Sequence, residues 1–274
     1  MRKYAIASGL LAAGSGIVGF FLRQNELLRA FEPDTGLPVA GNASTVALIA
    51  YTLLILAAAA GFAFAVKTRF KSKDTYSDAF AFRGPHLTVI AGLCAAALAA
   101  SGVMCLLEAR GGADFRVQAA IAVLTAASGA GLLGLTMSSL SGKGSKLSLI
   151  CAIIPELFFT VWLLLLYRRN QTNPVRLEYA FQALAIVSAA LSSYFTTGYA
   201  FGRPAPALSA FCNAAAVYFL ITASADPIPL SQRLAFIAFA VFFAVNLIRL
   251  TDGLEFKLPK HLRSAAPSEE KASE

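Results

Sequence analysis

Glu156 is the acid that stands deep inside a long apolar run, in the stretch Leu147-Ser148-Leu149-Ile150-Cys151-Ala152-Ile153-Ile154-Pro155-Glu156-Leu157-Phe158-Phe159-Thr160-Val161-Trp162. A carboxylate placed in hydrocarbon costs roughly 2.5–3.5 kcal/mol on insertion scales, so it calls for a reason. Three roles suit it: a proton- or cation-coupling group, a binding group for a polar solute or partner, or a neutral hydrogen-bonded group that fixes helix packing. Pro155 has no N–H, so the carbonyl of Cys151, one turn earlier, loses its helical partner. A protonated Glu156 could donate to it.

Asn213 sits about halfway along another apolar run, at a depth similar to Glu156 if both runs cross a membrane in the same direction. Were the two helices neighbours, the Asn213 amide could donate to the Glu156 carboxylate. Gln182 and Tyr194, on one further run, complete the candidate solute- or ion-binding set of Glu156, Asn213, Gln182 and Tyr194. Glu178, Tyr179, Tyr199, Asn246 and Arg249 stand near the ends of runs, where interface anchors are common. With Glu156 and Asn213 they would make a polar path through the second half of the chain.

Other chemistry is hard to find. The chain has only two histidines, His86 at a helix start and His261 in a polar tail. It has no His-Glu-x-x-His, no Gly-x-Ser-x-Gly and no paired intramembrane Asp, so neither an enzyme, a metal nor a cofactor is expected. Gly14-Ser15-Gly16-Ile17-Val18-Gly19 spells the dinucleotide fingerprint, but without a strand before it, and glycines inside an apolar run serve packing. Gly142-Lys143-Gly144-Ser145-Lys146 reads as a short turn, not a phosphate loop. Asn42-Ala43-Ser44 and Asn170-Gln171-Thr172 are glycosylation tripeptides of a kind that arises by chance. Cys94, Cys105, Cys151 and Cys212 lie inside apolar runs and read as small buried residues.

The elements that must position these residues are membrane-spanning helices. Hydrophobic residues make up 57% of the chain and charged residues 14%, against roughly 45–50% and about 25% for soluble domains. The apolar residues form eight blocks: Tyr4–Leu22, Thr45–Val66, His86–Leu107, Val117–Met137, Leu147–Tyr167, Val175–Ala200, Ala205–Ala223 and Leu230–Leu250. About 20 residues span the roughly 30 Å of hydrocarbon as a helix. The expected fold is all-α: a polytopic membrane helix bundle with eight transmembrane helices. The count falls to seven if Ala205–Ala223, shortened by Pro204 and Pro206 and interrupted by Asn213, fails to cross. Residues 1–258 make one transmembrane domain, and 259–274 a disordered cytoplasmic tail. Glu26–Phe31 is expected as a short separate helical turn.

The halves resemble one another faintly. Phe20-Phe21-Leu22-Arg23 and Leu166-Tyr167-Arg168-Arg169 end the first and fifth spans, while Phe82-Arg83-Gly84-Pro85 and Phe201-Gly202-Arg203-Pro204 open the third and seventh. Two parallel four-helix repeats would account for this; so would the habit of arginines to end helices and prolines to begin them. Small residues at i, i+4, as in Ala12/Gly16, Ser15/Gly19, Gly92/Ala96/Ala100, Ala127/Gly131 and Ala130/Gly134, point to close packing among spans one to four. Phe236, Phe239, Phe242 and Phe243 suggest that the later spans turn bulky faces to lipid or a partner.

The formal charge of +8 fits membrane topology better than nucleic-acid binding, which is not expected. With eight spans, 15 of the 23 Lys and Arg residues fall on the side of the termini, so both termini are expected in the cytoplasm. Lys67–Lys73 is either a topology anchor or a site for anionic lipid or a cytoplasmic partner. Met1-Arg2-Lys3-Tyr4 and the run after it also fit a cleaved signal peptide, but Phe20-Phe21-Leu22-Arg23 continues past any small-residue cleavage point.

Ile154-Pro155-Glu156-Leu157-Phe158-Phe159-Thr160-Val161-Trp162, with Tyr167-Arg168, Asn173-Pro174, Tyr179 and Phe201-Gly202-Arg203-Pro204, resembles a group of multi-pass membrane proteins of Gram-positive anaerobic bacteria with no assigned activity. The likeness covers mainly the second half. It implies a bacterial plasma (inner) membrane protein, and a Glu156 position that other members fill differently. The leading expectation is a small permease with a midplane polar site near Glu156. The alternative is a non-catalytic membrane subunit or sensor that docks a protein partner or a second copy. A continuous polar cavity reaching Glu156 would favour the first, and a bulky apolar groove the second.

Overall fold

The structure is a computed structural model that describes residues 2–32, 37–71, 75–81, 85–110, 115–141, 146–172 and 175–256. In hydrocarbon, backbone N–H and C=O groups have no water to pair with, so apolar blocks fold as helices. In chain order the elements are α1 (Arg2–Arg29), α2 (Ala43–Arg69), β1 (Phe70–Lys71), α3 (Tyr76–Ala79), α4 (Pro85–Glu108), α5 (Phe115–Ser141), α6 (Lys146–Asn170), α7 (Arg176–Ala200), α8 (Pro206–Ala223), α9 (Leu230–Asp252) and β2 (Glu255–Phe256). Eight of these helices, all but α3, are long and apolar enough to cross a membrane. The expected all-α bundle of eight spans is therefore the fold. The polar tail expected at 259–274 lies outside the described residues.

The shortest span, α8, lies at the centre of the bundle. α8 packs against α1, α2, α7 and α9, and α9 against α1, α4 and α8. Around them α4, α5, α6 and α7 run as successive neighbours. Pro206 sits in the first turn of α8, where a missing N–H costs nothing, and Asn213 is paired inside the helix. A helix walled by protein needs less hydropathy than one facing lipid, so eight spans, not seven, result.

Two expectations about faces are corrected. Phe236, Phe239, Phe242 and Phe243 are buried in the core and are not offered to lipid. Gly92, Ala96 and Ala100 point outward: Gly92 has open space at its Cβ position, and both alanines are exposed. α4 instead packs through Ala91, Ala95, Leu98 and Gly102. A Cβ on Gly102 would come within 2.7 Å of the Ala122 carbonyl on α5, and one on Gly129 within 2.7 Å of the Ala95 carbonyl on α4. On a helix this rich in alanine, spacing alone does not select a face. The halves also occupy unlike places: α8 and α9 are central, whereas the repeat scheme matches them to the outer α4 and α5.

α1 begins, and α9 finishes, at one end of the bundle, here the terminal end. Ser8 meets Thr251 there at 3.3 Å. At the same end β1 pairs antiparallel with β2, Phe70 opposite Phe256 and Lys71 opposite Glu255. Lys67–Lys73 is thus the last turn of α2 running into a strand, with 72–74 outside the described residues. At the far end α1 does not stop at Leu22. It continues to Arg29, so the separate turn expected over Glu26–Phe31 is mostly α1 itself. The reason is that Arg23 and Glu26 are buried and paired, not at a water boundary.

Candidate functional site

The four residues singled out from the sequence do not converge. Glu156 is half-buried on α6; its backbone carbonyl accepts the Thr160 hydroxyl, and its carboxyl has no hydrogen bond among the described residues. The carbonyl that Pro155 frees does not go to Glu156. Gly131 of α5 lies against it, so close that a Cβ there would stand 2.8 Å from the Cys151 oxygen. The next carbonyl, of Ala152, accepts the Thr197 hydroxyl of α7 at 3.0 Å. Neighbouring helices thus fill the proline notch, as happens inside membranes.

Asn213 is fully buried on α8. Its Nδ2 donates to the Ser209 carbonyl at 2.7 Å and contacts Ser209 Oγ at 3.3 Å. α6 packs on α5 and α7, and α7 packs on α8, so α7 stands between Asn213 and Glu156. The expected amide-to-carboxylate bond does not form. Asn213 Oδ1, Ser192 Oγ and Thr196 Oγ1 stay buried without partners on α8 and α7. Tyr194 is 57% exposed on the outer face of α7. The Thr197–Ala152 contact fixes the antiparallel register, so one turn along this seam brings Tyr194 level with Glu156.

Gln182 is different. It lines a cavity of about 230 Å³ at the far end, between α6, α7, α9 and the α8–α9 connection. Arg169, Asn170, Glu178, Tyr179, Gln182 and Gln232 give the cavity polar walls, and Pro227, Ile228 and Pro229 form one side. Its floor is Ile121, Trp162, Leu165 and Leu166. Below, Trp162 stacks on Phe236 with centroids 4.9 Å apart. Phe158 packs on Trp162 at 5.0 Å and on Phe239 at 5.5 Å, while Phe159 meets Phe239 at 4.6 Å and Phe243 at 6.2 Å. These rings fill the space between α6 and α9. The cavity therefore ends at Trp162, six residues or about 9 Å of helix beyond Glu156.

Behind this cavity lies an ionic cluster that sequence reasoning missed. Arg23 of α1 is 0% exposed. Its Nε donates to Asp226 Oδ1 at 2.7 Å and its Nη1 to Glu26 Oε2 at 2.6 Å. Nη2 donates to the Leu177 and Glu178 carbonyls at 3.2 and 2.8 Å, and the guanidinium lies 5.0 Å from the centroid of Phe181. Glu26 and Asp226 are also fully buried, and each keeps one oxygen, Glu26 Oε1 and Asp226 Oδ2, without a partner. Burial pushes the Asp226 carboxyl above its ordinary value, with Glu26 adding to the effect; Arg23 and, from the cavity side, Gln182 oppose it. The sequence did carry one signal, an Arg and a Glu three residues apart at the end of an apolar helix. Nearby, Glu108 of α4 accepts the Ser231 amide at 3.2 Å and the Ser231 hydroxyl, which places its charge at the positive start of α9.

The terminal end has its own buried cation. Arg249, expected as an interface anchor, is 2% exposed. It donates to the Phe80 carbonyl and to Ser139 Oγ at 2.7 Å, and lies 5.7 Å from the Phe80 ring centroid. α3 is held here by aromatic contacts, Tyr76 on Phe80 and Phe80 on Tyr199, both at 5.1 Å. Burial raises the Tyr76 phenol above its ordinary value, and Arg249 opposes this.

Both sequon asparagines are engaged locally. Asn42 caps α2 by accepting from the Ser44 amide at 2.9 Å, and Asn170 donates to the Leu166 carbonyl at 2.9 Å. The four cysteines are buried free thiols. Among the described residues no three metal-ligating groups come together.

Fold and composition together define a multi-pass integral membrane protein. No family model, curated protein or solved structure matches the chain.

Proposed function

We propose that this protein is a small permease of the bacterial plasma membrane, with both termini cytoplasmic and its solute site in the polar far-end cavity. The observation that carries this reading is a polar chamber closed beneath by a column of rings between α6 and α9. Small-molecule sites are concave, with a few convergent polar groups. Arg169 supplies a cation, Glu178 an anion, and Gln182, Gln232 and Asn170 supply amides. That set suits a small zwitterion or neutral polar solute. The excess of Lys and Arg at the terminal end supports the orientation, which opens the cavity to the outside. Glu156, half-buried on α6 beyond the rings, is the candidate carboxyl that this route approaches. Pro155 gives α6 a place to bend, and Asn213 is spent on Ser209 of its own helix.

The test uses purified full-length protein. Its melting temperature is measured against amino acids, sugars, carboxylates and amines, and any stabilising solute is tried for counterflow in proteoliposomes. A stabilising zwitterion whose effect is lost in Gln182→Ala and Arg169→Gln, and which exchanges across the bilayer, is the expected result. Binding without exchange would leave a sensor instead of a permease.

A second reading is favoured by a groove of about 670 Å³ between α1 and α2, lined by Tyr4, Ala7, Leu11, Gly14, Tyr51, Ala58 and Phe62 among others. Exposed Lys3, Lys67 and Arg69 stand at its terminal end. On this reading the chain is a non-catalytic subunit whose groove takes the acyl chain of an anionic lipid, with the Lys67–Lys73 segment at the headgroup. Native mass spectrometry with phosphatidylglycerol and phosphatidylcholine tests it. Retained phosphatidylglycerol, lost in Gly14→Leu, supports it; equal retention of both lipids removes it, and a retained second copy or partner would make the groove a protein interface.

A further inference from the structure

We infer that Arg23, Glu26 and Asp226 form a proton-binding site behind the far-end cavity, with Asp226 as the group that takes up and releases the proton. The inference rests on the permease reading only for its purpose, solute coupling; the proton site itself stands on geometry.

Two carboxylates share one guanidinium, and all three side chains are fully buried. Arg23 is engaged at every nitrogen: Nε serves Asp226, Nη1 serves Glu26, and Nη2 serves two carbonyls of the first turn of α7. One positive charge therefore faces two negative ones in a site without water contact. An uncompensated buried carboxylate is strongly disfavoured, and the usual escape is protonation. The Glu26 charge adds to what burial does at Asp226 and raises its carboxyl further.

Among the described side chains, no cation other than Arg23 forms an ion pair with either carboxylate. Arg233 of α9 donates to the Asp226 backbone carbonyl at 3.3 Å and, among the described residues, forms no ion pair with either carboxylate. Glu178 of α7 is exposed and negative, and Arg29, at the end of α1, is exposed. Asp226 is the better placed of the two acids. It sits in the short α8–α9 connection, outside the spans, beside cavity residues Pro227 and Ile228. Its Oδ2 is unpartnered, and the cavity residue Gln182 approaches it without completing a hydrogen bond. A proton reaches Oδ2 from the cavity by passing the Gln182 carboxamide. Burial favours the protonated form and Arg23 the ionised form, which leaves the two within reach of each other. The proton balance is simple: one proton enters from water, Asp226 becomes neutral, and the cluster goes from −1 to 0.

The experiment is infrared titration of full-length protein in detergent or nanodiscs, with no solute present. Wild type is expected to show a protonated carboxyl C=O band that titrates above the ordinary carboxylate value. The band should be lost in Asp226→Asn and kept in Glu156→Gln. If Asp226→Asn does not fold, Glu26→Gln decides, because removing the neighbouring negative charge should move the midpoint to lower pH. A band unchanged in Asp226→Asn, an unmoved midpoint in Glu26→Gln, or a band that answers to sodium instead of pH would each overturn the proposal. The titration needs no transport. A proton band without counterflow leaves this site standing and removes the permease; counterflow without the band does the reverse.

Discussion

Arg23 on the first helix and Asp226 in the last connection, 203 residues apart, are joined by an Nε–Oδ1 bond of 2.7 Å with both side chains out of solvent. This clasp ties α1 to the α8–α9 turn, while the same guanidinium holds the start of α7. Breaking a buried ion pair by removing one partner costs about 3–5 kcal/mol, because the other charge is left uncompensated. Arg23→Gln should therefore lower detergent-solubilised stability by about that amount. Adding Glu26→Gln and Asp226→Asn should restore much of it, since no uncompensated charge then remains. Thermal melts of the single and triple variants measure both, and additive losses would show that the three residues do not act as a unit.

Gly14 and Gly19 share α1 and one motif by letters, but they face different surroundings. A Cβ at Gly19 would collide with Thr222 and stand 2.9 Å from the Tyr218 ring, whereas Gly14 has nothing within 4 Å. Gly19→Val should cost about 1–3 kcal/mol through overpacking. Gly14→Ala should be neutral or stabilise by up to roughly 1 kcal/mol through helix propensity. Melting curves of the two variants, side by side, check the orientation of α1 against α8.

The spans were legible in the sequence because crossing a bilayer demands length and hydropathy, and both are local properties. What covers each face is not local. Phe236, Phe239 and Phe243 announced one helical stripe, yet only the position of α9 at the centre says that protein meets it. The seventh block looked weak for the same reason that it is central: Ser209, Asn213 and Thr222 are tolerated where the surroundings are protein. Glu156 drew attention by depth. Arg23 and Asp226 did not, because a charge near the end of a run has the same spacing whether it anchors in water or pairs inside. Gln182 was found as a polar residue on an apolar helix, but its cavity partners Arg169 and Gln232 come from helices that sequence order leaves far apart.

The cavity predicts a pattern of chemical access. All four native cysteines are buried, so background labelling should be low. Gln232→Cys, in the cavity wall, should react with a membrane-impermeant thiol reagent applied from the side opposite the termini. Arg69→Cys, exposed at the terminal end, should react only from the other side. Labelling of right-side-out and inverted vesicles reads the orientation directly. Gln232→Cys reacting only in inverted vesicles would place the cavity in the cytoplasm and reverse the proposed topology.

Among the described residues Glu156 makes no hydrogen bond or ion pair through its carboxyl, and it is only half-buried. A packing role would need a partner that the side chain does not have. Glu156→Gln should therefore change stability by no more than about 0.5 kcal/mol, as for a substitution that breaks no contact. Any loss of counterflow in this variant then reports on conduction past the α6–α7 seam, not on folding. A large fall in melting temperature would instead return Glu156 to a structural role.

Asp226 predicts how stability should vary with pH. Its carboxyl is held above the ordinary value by burial, more than Arg23 and Gln182 draw it down. The folded state therefore binds its proton more tightly than the unfolded chain does. Between the unfolded and folded values the native state carries more protons, so stability falls as pH rises. The contribution is fully present below the ordinary carboxylate value and is lost as pH climbs through the higher, folded one. In Asp226→Asn, which cannot titrate at this position, the melting temperature should be flatter over that window. Glu26→Gln should move the fall to lower pH, since one source of the upward shift is gone. A wild-type melting temperature that instead rises through the window would mean that the Arg23 pairing outweighs burial, and that Asp226 stays ionised as a fixed strut of the far end.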